Sequence, residues 1–281
     1  MRAPAPLWLL LATACATTSD KTSDGKSADR KAAPAKAEKS AGGDPEGLFV
    51  DRKTETYGDT RPVPKANDEE LAEFNRIWEL FRKDDPAWPR ERDRFKRKSD
   101  AAGYLLAGHM IRYYMQVNVQ RDGAAKAMVR AKDEVVAVGA PCAPALVDLM
   151  ILDRIPMKDG RHFVPDDLTR QECLEMLERM GSQAAPELLR ALSRKDLGVK
   201  QRRLLALALG GTKDPRGYEP IVALLQSDPS WQVRADAATA LGKLGDKRAI
   251  EPLTAAVQND KDSAVVKRAG KARDQLAKAK P

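Results

Sequence analysis

The chain has 281 residues, of which 42% are hydrophobic, 32% charged and only 5% aromatic, with Ala and Leu leading the apolar set. That balance favours close-packed helices over β-sandwiches, which lean on Val, Ile and aromatic residues. Three cysteines without a CxxC pair exclude a disulfide scaffold and a zinc ribbon, and no apolar run reaches the ~18 residues that a multi-span membrane protein needs.

The first fifteen residues read as an address. Met1-Arg2 gives a positive start, Leu7 to Ala12 a short apolar core, and Thr13-Ala14-Cys15 a small-residue exit, the order of a secretory signal too short to span a bilayer. Leu11-Ala12-Thr13-Ala14-Cys15 resembles a bacterial lipobox, with Ala12 where Leu or Val is commoner. The resemblance implies cleavage after residue 14 and acylation of Cys15, hence a lipid anchor. Ala16-Thr17 lacks the Asp of inner-membrane retention, which points to the outer membrane.

Residues 15–66 are expected to be a disordered linker, because Lys, Ala, Ser, Thr, Asp, Gly and Pro dominate and bury too little to offset ordering entropy. Leu48, Phe49, Val50 and Tyr57 alone interrupt them. Ten Lys/Arg and nine Asp/Glu between 16 and 65 leave the linker nearly neutral. Fifty such residues span roughly 40 Å by the square-root rule. An N-terminal helical segment is expected over 67–120. Leu71, Phe74, Ile77, Trp78 and Phe81 make one apolar stripe, and Asp68 to Glu70 sit in its first turn. Pro86 and Pro89 are expected to stop that helix, and Ser99 or Asp100 to cap the next.

Beyond residue 121 the sequence repeats. Ala185, Gly217 and Ala249 are 32 apart, as are Leu209 and Leu241 and Pro220 and Pro252, while Ala143 precedes Ala185 by 42. The ten extra residues fit in the loop-like stretch Asp153 to Asp166. A period in the thirties signifies one helix–turn–helix per unit, stacked on its neighbours. In the best unit Val233, Ala237, Leu241 and Leu244 line one face, Asp228 and Pro229 precede the helix as cap and first turn, and Gly242 and Gly245 flank the turn. The run from Val233-Arg234 through Ala240-Leu241-Gly242 and Leu244-Gly245-Asp246 to Ala249-Ile250-Glu251-Pro252-Leu253 resembles HEAT-like repeats of the phycobilisome-lyase type. The resemblance implies an all-α fold, an α-solenoid of HEAT-like repeats over 121–260, with residues 261–281 as a polar capping helix. It says little about activity, since such repeats serve unrelated functions.

Chemistry is sparse. Only His109 and His162 exist, and no HExxH, GxSxG or Walker motif is present. Deoxyhypusine hydroxylase, HEAT-like in fold, needs several His-Glu pairs for iron, and none is present. His109 reads as a helix-packing residue. Cys142 and Cys173 lie in adjacent units, where an oxidising compartment would allow pairing but apolar neighbours favour two buried thiols. The insertion carries Arg154, Lys158, Arg161, His162 and Phe163, basic groups around an aromatic anchor; it reads either as a tolerated surface insertion or as a binding loop of the kind repeats often carry. The second candidate surface is the row of second helices, with Glu187, Arg190, Arg194, Glu219, Glu251 and Thr254 as its expected exposed positions. Their mixed sign suits a protein or peptide partner.

The formal net charge of +8 is diffuse, with thirteen basic against eleven acidic groups over 66–130 and 25 against 21 over 131–281. A phosphate-binding groove needs concentrated charge, so no nucleic-acid partner is expected. No cofactor, metal or small-molecule substrate is indicated. These readings converge on a non-enzymatic envelope lipoprotein with a protein-binding solenoid; the alternative is a HEAT-like lyase or ligand-binding enzyme with an unrecognised site.

Overall fold

The computed structural model describes residues 64–119, 125–156 and 162–278. The leader, Cys15 and nearly all of the expected linker lie outside these residues. Among the described residues the chain forms twelve α-helices and one minimal hairpin.

Helix α1 (Asp68–Arg82) opens with a reciprocal cap: Asn67 Oδ1 accepts from the Glu70 amide at 2.9 Å, and Glu70 Oε2 accepts from the Asn67 amide at 3.0 Å. Phe74, Ile77 and Phe81 are buried as the stripe predicts, while Leu71, one turn earlier, is exposed. The two prolines act differently from expectation. Helix α1 ends at Arg82, before either of them, and Pro89 sits in the first turn of a further helix, α2 (Trp88–Phe95), where a missing amide costs nothing. The charged run from Arg90 is therefore largely helical, and it buries Trp88, Arg92 and Phe95. Glu134 makes this possible: its Oε2 accepts from Trp88 Nε1 and from Arg92 Nη1, both at 2.8 Å. In α3 (Asp100–Val119), Ser99 caps the first turn by accepting from the Ala102 amide, and Leu105, Ile111, Tyr114 and Val117 are buried.

The repeats follow as helix pairs: α4 (Ala125–Val138) with α5 (Ala143–Ile151), α6 (Asp167–Met180) with α7 (Ala185–Leu192), α8 (Val199–Gly211) with α9 (Tyr218–Ser227), and α10 (Trp231–Leu244) with α11 (Ile250–Asn259). Short 3-10 turns join the members of each pair. The first helices stack in sequence order, and α12 (Ser263–Lys278) continues that stack against α10 and α11, burying Val265, Ala269, Ala272 and Leu276. Small side chains let them approach closely. A Cβ on Gly210 would lie 2.7 Å from Ala240 Cα, and the equivalent Gly242 faces Ala272 in the same way. Gly245 ends α10 in the left-handed region at φ +83°, which glycine adopts without a Cβ penalty.

In the last two helix pairs, buried ion pairs tie the first helix to the loop that follows its second helix. Arg202, in the first turn of α8, donates from Nε and Nη2 to Asp228 at 2.7 and 3.1 Å and from Nη1 to the Leu197 carbonyl at 2.6 Å. One period later Arg234 repeats this with Asp260, at 2.7 and 3.0 Å, and with the Asp228 carbonyl. Asp228 is thus committed to Arg202 and to the Ser230 amide. Helix α10 starts at Trp231 without the expected Asp228 cap, and Pro229 precedes it. These pairs join the start of each first helix to the end of its second helix, so the two run antiparallel. One edge of the array therefore holds the loops between units, and the other holds the 3-10 turns.

Candidate binding surfaces

The insertion between α5 and α6 is not wholly loop. Ile155–Pro156 (β1) and His162–Phe163 (β2) form an antiparallel ladder with Ile155 opposite Phe163 and Pro156 opposite His162. Ile155 is buried, and Phe163 is half-buried and packed on the core, so burial of this cross-strand pair pins the base of the hairpin. Phe163 is therefore a structural anchor and not the free aromatic that its basic surroundings suggested. His162 is exposed, and Arg161 and Lys158 lie outside the described residues. Beneath the hairpin, buried Arg170 donates from Nη1 to the Met150 carbonyl at 2.7 Å and from Nη2 to Asp153 at 3.4 Å. Arg170 stands one period before Arg202, but the insertion gives it a new partner. Asp196, one period before Asp228, is held by Arg194 instead.

The row of second helices is less charged than its sequence implies. Glu187, expected at the surface, is buried and accepts from Arg190 Nε at 3.0 Å and also from Nη2, an i to i+3 pair within α7. Arg190 is half-buried by that contact. Arg194 is half-buried and grips Asp196 through Nε and Nη2 at 3.1 and 2.7 Å, which holds that carboxyl below the usual range. Glu219 and Glu251 are exposed as expected, in the first turns of α9 and α11 where the helix dipole favours them. Thr254 is half-buried, its hydroxyl donating to the Ile250 carbonyl at 2.7 Å. Of the six positions, then, two are exposed, and these present carboxylates one repeat apart.

The titratable groups inside the fold serve packing. His109 lies 4.3 Å from the Phe74 ring and 5.4 Å from Trp78, with Nδ1 3.0 Å from the Leu105 carbonyl, and burial pushes its pKa below 6.5. Cys142 and Cys173 are free and buried, and desolvation raises both thiols well above their ordinary range. Tyr114 donates to Glu172 at 2.8 Å, linking α3 to α6. Among the described residues no cluster of three or more His, Cys, Asp or Glu is placed to hold a metal ion. No single described helix is long and apolar enough to cross a membrane.

Two features were missed in the sequence. Asp236, buried on α10, accepts from Arg203 of α8 at 2.6 Å and from Arg268 of α12, so one carboxylate spans three first helices. Its only signal is an acid at a position that holds Leu204 and Arg268 in the adjoining units and an acid again, Glu172, two periods earlier. The other feature is a row of exposed apolar side chains, Leu168, Val199 and Trp231, at the starts of α6, α8 and α10. Val199 and Trp231 are one period apart, which was the available clue.

With this geometry, the molecule is an all-α solenoid of HEAT-like units. Residues 199–272, from α8 into α12, match the family model for HEAT repeats. No curated protein matches the chain.

Proposed function

We propose that this chain is a non-enzymatic lipoprotein of a bacterial envelope, anchored through Cys15, whose HEAT-repeat array docks protein partners as an adaptor or scaffold. The observation that carries the interaction role is the stacked array itself, with residues 199–272 matching HEAT repeats. Arrays of this kind offer one extended surface assembled from equivalent positions of successive units. Here the second helices present Glu219 and Glu251 at matching positions, beside half-buried Val222 and Thr254. Two carboxylates at one-repeat spacing suit a partner that offers basic groups along an extended segment.

The anchor rests on the lipobox-like run ending at Cys15 and on the apolar stretch before it. Acyl chains add ~0.8 kcal/mol per buried CH₂, so several chains on one residue give stable attachment. Fatty-acid labelling in the host, wild type beside Cys15→Ala, tests the anchor: label on the wild type alone is expected. Affinity capture from envelope extract tests the adaptor role. A captured protein should be lost with Glu219→Lys/Glu251→Lys while helicity is unchanged. Turnover of a small molecule by the purified protein would overturn the reading.

A further inference from the structure

The two edges of the array differ in chemistry. The edge of 3-10 turns presents Lys213, Arg216, Lys247 and Arg248, and its arginines are satisfied locally: Arg216 grips Asp214, and Arg248 grips Asp246 while lying 4.2 Å over the Tyr218 ring. Six large apolar side chains are exposed among the described residues, and four of them belong to the other edge or to the insertion that joins it: Val164, Leu168, Val199 and Trp231. Leu71 and Val129 sit elsewhere. The edge residues are neighbours in space as well as in pattern. Lys200 at the start of α8 reaches Asp167 at the start of α6 at 3.2 Å, and Arg202 of α8 reaches Asp228 just before α10. Trp231 is 42% exposed, Val199 40% and Leu168 49%, although burying one such side chain is worth ~1.5–3 kcal/mol. Exposed Lys195 and Lys261 flank them in the loops before α8 and α12.

We propose that this edge is a membrane-contact surface, which rests against an anionic lipid headgroup layer with Trp231 at the headgroup–acyl boundary. Its chemistry fits that occupant. Trp, with an apolar body and one N–H, favours the boundary, aliphatic side chains enter beside it, and lysine stems reach back to anionic headgroups. The row is narrow and one-dimensional, which suits a plane touching an edge better than a groove enclosing a peptide. The aspartates along it are each paired with a cation, buried Asp228 and Asp260 with Arg202 and Arg234, and exposed Asp167 and Asp196 with Lys200 and Arg194. The orientation has a consequence: the second helices would stand off the bilayer, open to a partner. The inference rests on the lipid-anchor reading in one respect only, since an anchor keeps the edge at high effective concentration near the bilayer.

The test uses the full-length protein purified from its host and placed on vesicles of phosphatidylethanolamine and phosphatidylglycerol containing a brominated lipid. Cleavage before Cys15 removes Trp8, and Trp8→Phe removes it where the leader is retained, so Trp231 is the exposed indole beside half-buried Trp78 and buried Trp88. Brominated lipid should quench the emission, and Trp231→Phe should abolish that quenching. Lys195→Glu/Lys261→Glu should weaken it at least about fivefold, following the usual contribution of a basic residue at an anionic surface. Vesicle-bound protein whose Trp231 is not quenched overturns the proposal. So does Trp231 that becomes shielded only when envelope proteins are added, which would make the edge a protein interface. Absence of fatty-acid label on Cys15 together with Trp231 quenching would instead refute the anchor and leave the contact edge standing.

Discussion

The two ends of the molecule pack helices by opposite means. Around α1 to α3 the space between helices is filled by large rings: Phe74 lies 5.5 Å from Trp78 and 6.0 Å from Phe95, Trp78 4.8 Å from Phe81, and Phe81 5.0 Å from Tyr113. Around α8, α10 and α12 the rings are absent from the buried set: aliphatic Leu and Val fill the core, Ala and Gly let the backbones approach, and Arg–Asp pairs at the margins fix the register. Mass does the work at one end and proximity at the other. The first arrangement tolerates no loss of volume, and the second tolerates no gain.

Substitutions can separate the two regimes. Phe74→Ala should cost ~3–5 kcal/mol, the usual range for an aromatic removed from a core. In an array of nearest-neighbour contacts its effect should stay local. Faster amide exchange is expected in α1 to α3, with α10 to α12 unchanged, and uniform acceleration would refute the locality. Gly210→Val should cost about 3 kcal/mol through overpacking against Ala240, with the exchange pattern reversed. Asp236→Ala should come next, at ~1–3 kcal/mol by denaturant titration, since a buried acceptor shared by Arg203 and Arg268 is removed. At the small end, Leu71→Ala should change stability by no more than ~0.5 kcal/mol, although the sequence counts it in the apolar stripe.

Acid also distinguishes the ends. The folded pKa of His109 lies below its ordinary 6.5, so the unfolded chain binds protons more readily there. Stability from this group is present above pH 6.5 and is lost as pH falls through the folded value. Asp214, Asp246 and Asp260 behave alike in a lower window: hydrogen bonds from Arg216, Arg248 and Arg234 hold them below 3.8, and their contribution disappears as they protonate. Protection against exchange, taken relative to the intrinsic rate at each pH, should therefore fall first in α1 to α3 on acidification, and in α8 to α11 only at lower pH. His109→Gln should remove the earlier step alone; if it moves both steps, the assignment fails.

How much of this could be read from sequence depended on whether a signal was periodic. The 32-residue recurrence of Leu209/Leu241 and Pro220/Pro252 located the last helix pairs and their turns, because each unit solves the same packing problem with the same residues. Non-periodic contacts were invisible. Pro89 read as a stop because its helix exists only through Glu134, which lies more than forty residues away and satisfies Trp88 and Arg92. Glu187 read as surface because nothing local predicts that its pairing with Arg190 would be covered. Phe163 read as a free anchor because its burial depends on pairing with Ile155 across the hairpin. The sequence thus placed these residues on their elements and misjudged which of their side chains the packing covers.

Gly210 and Gly242 recur at the points where one first helix touches the next, and one period later the sequence has Asp274, exposed on α12 and gripped by Arg273. Glu178 holds the same position in α6, and α8 packs beside it with Gly211 against the Glu178 side chain, so a carboxylate there narrows the approach without forbidding a neighbour. A duplicated 32-residue block inserted at the boundary before Trp231, by contrast, would meet glycine on one side and alanine on the other. Such an array can lengthen by copying from its interior.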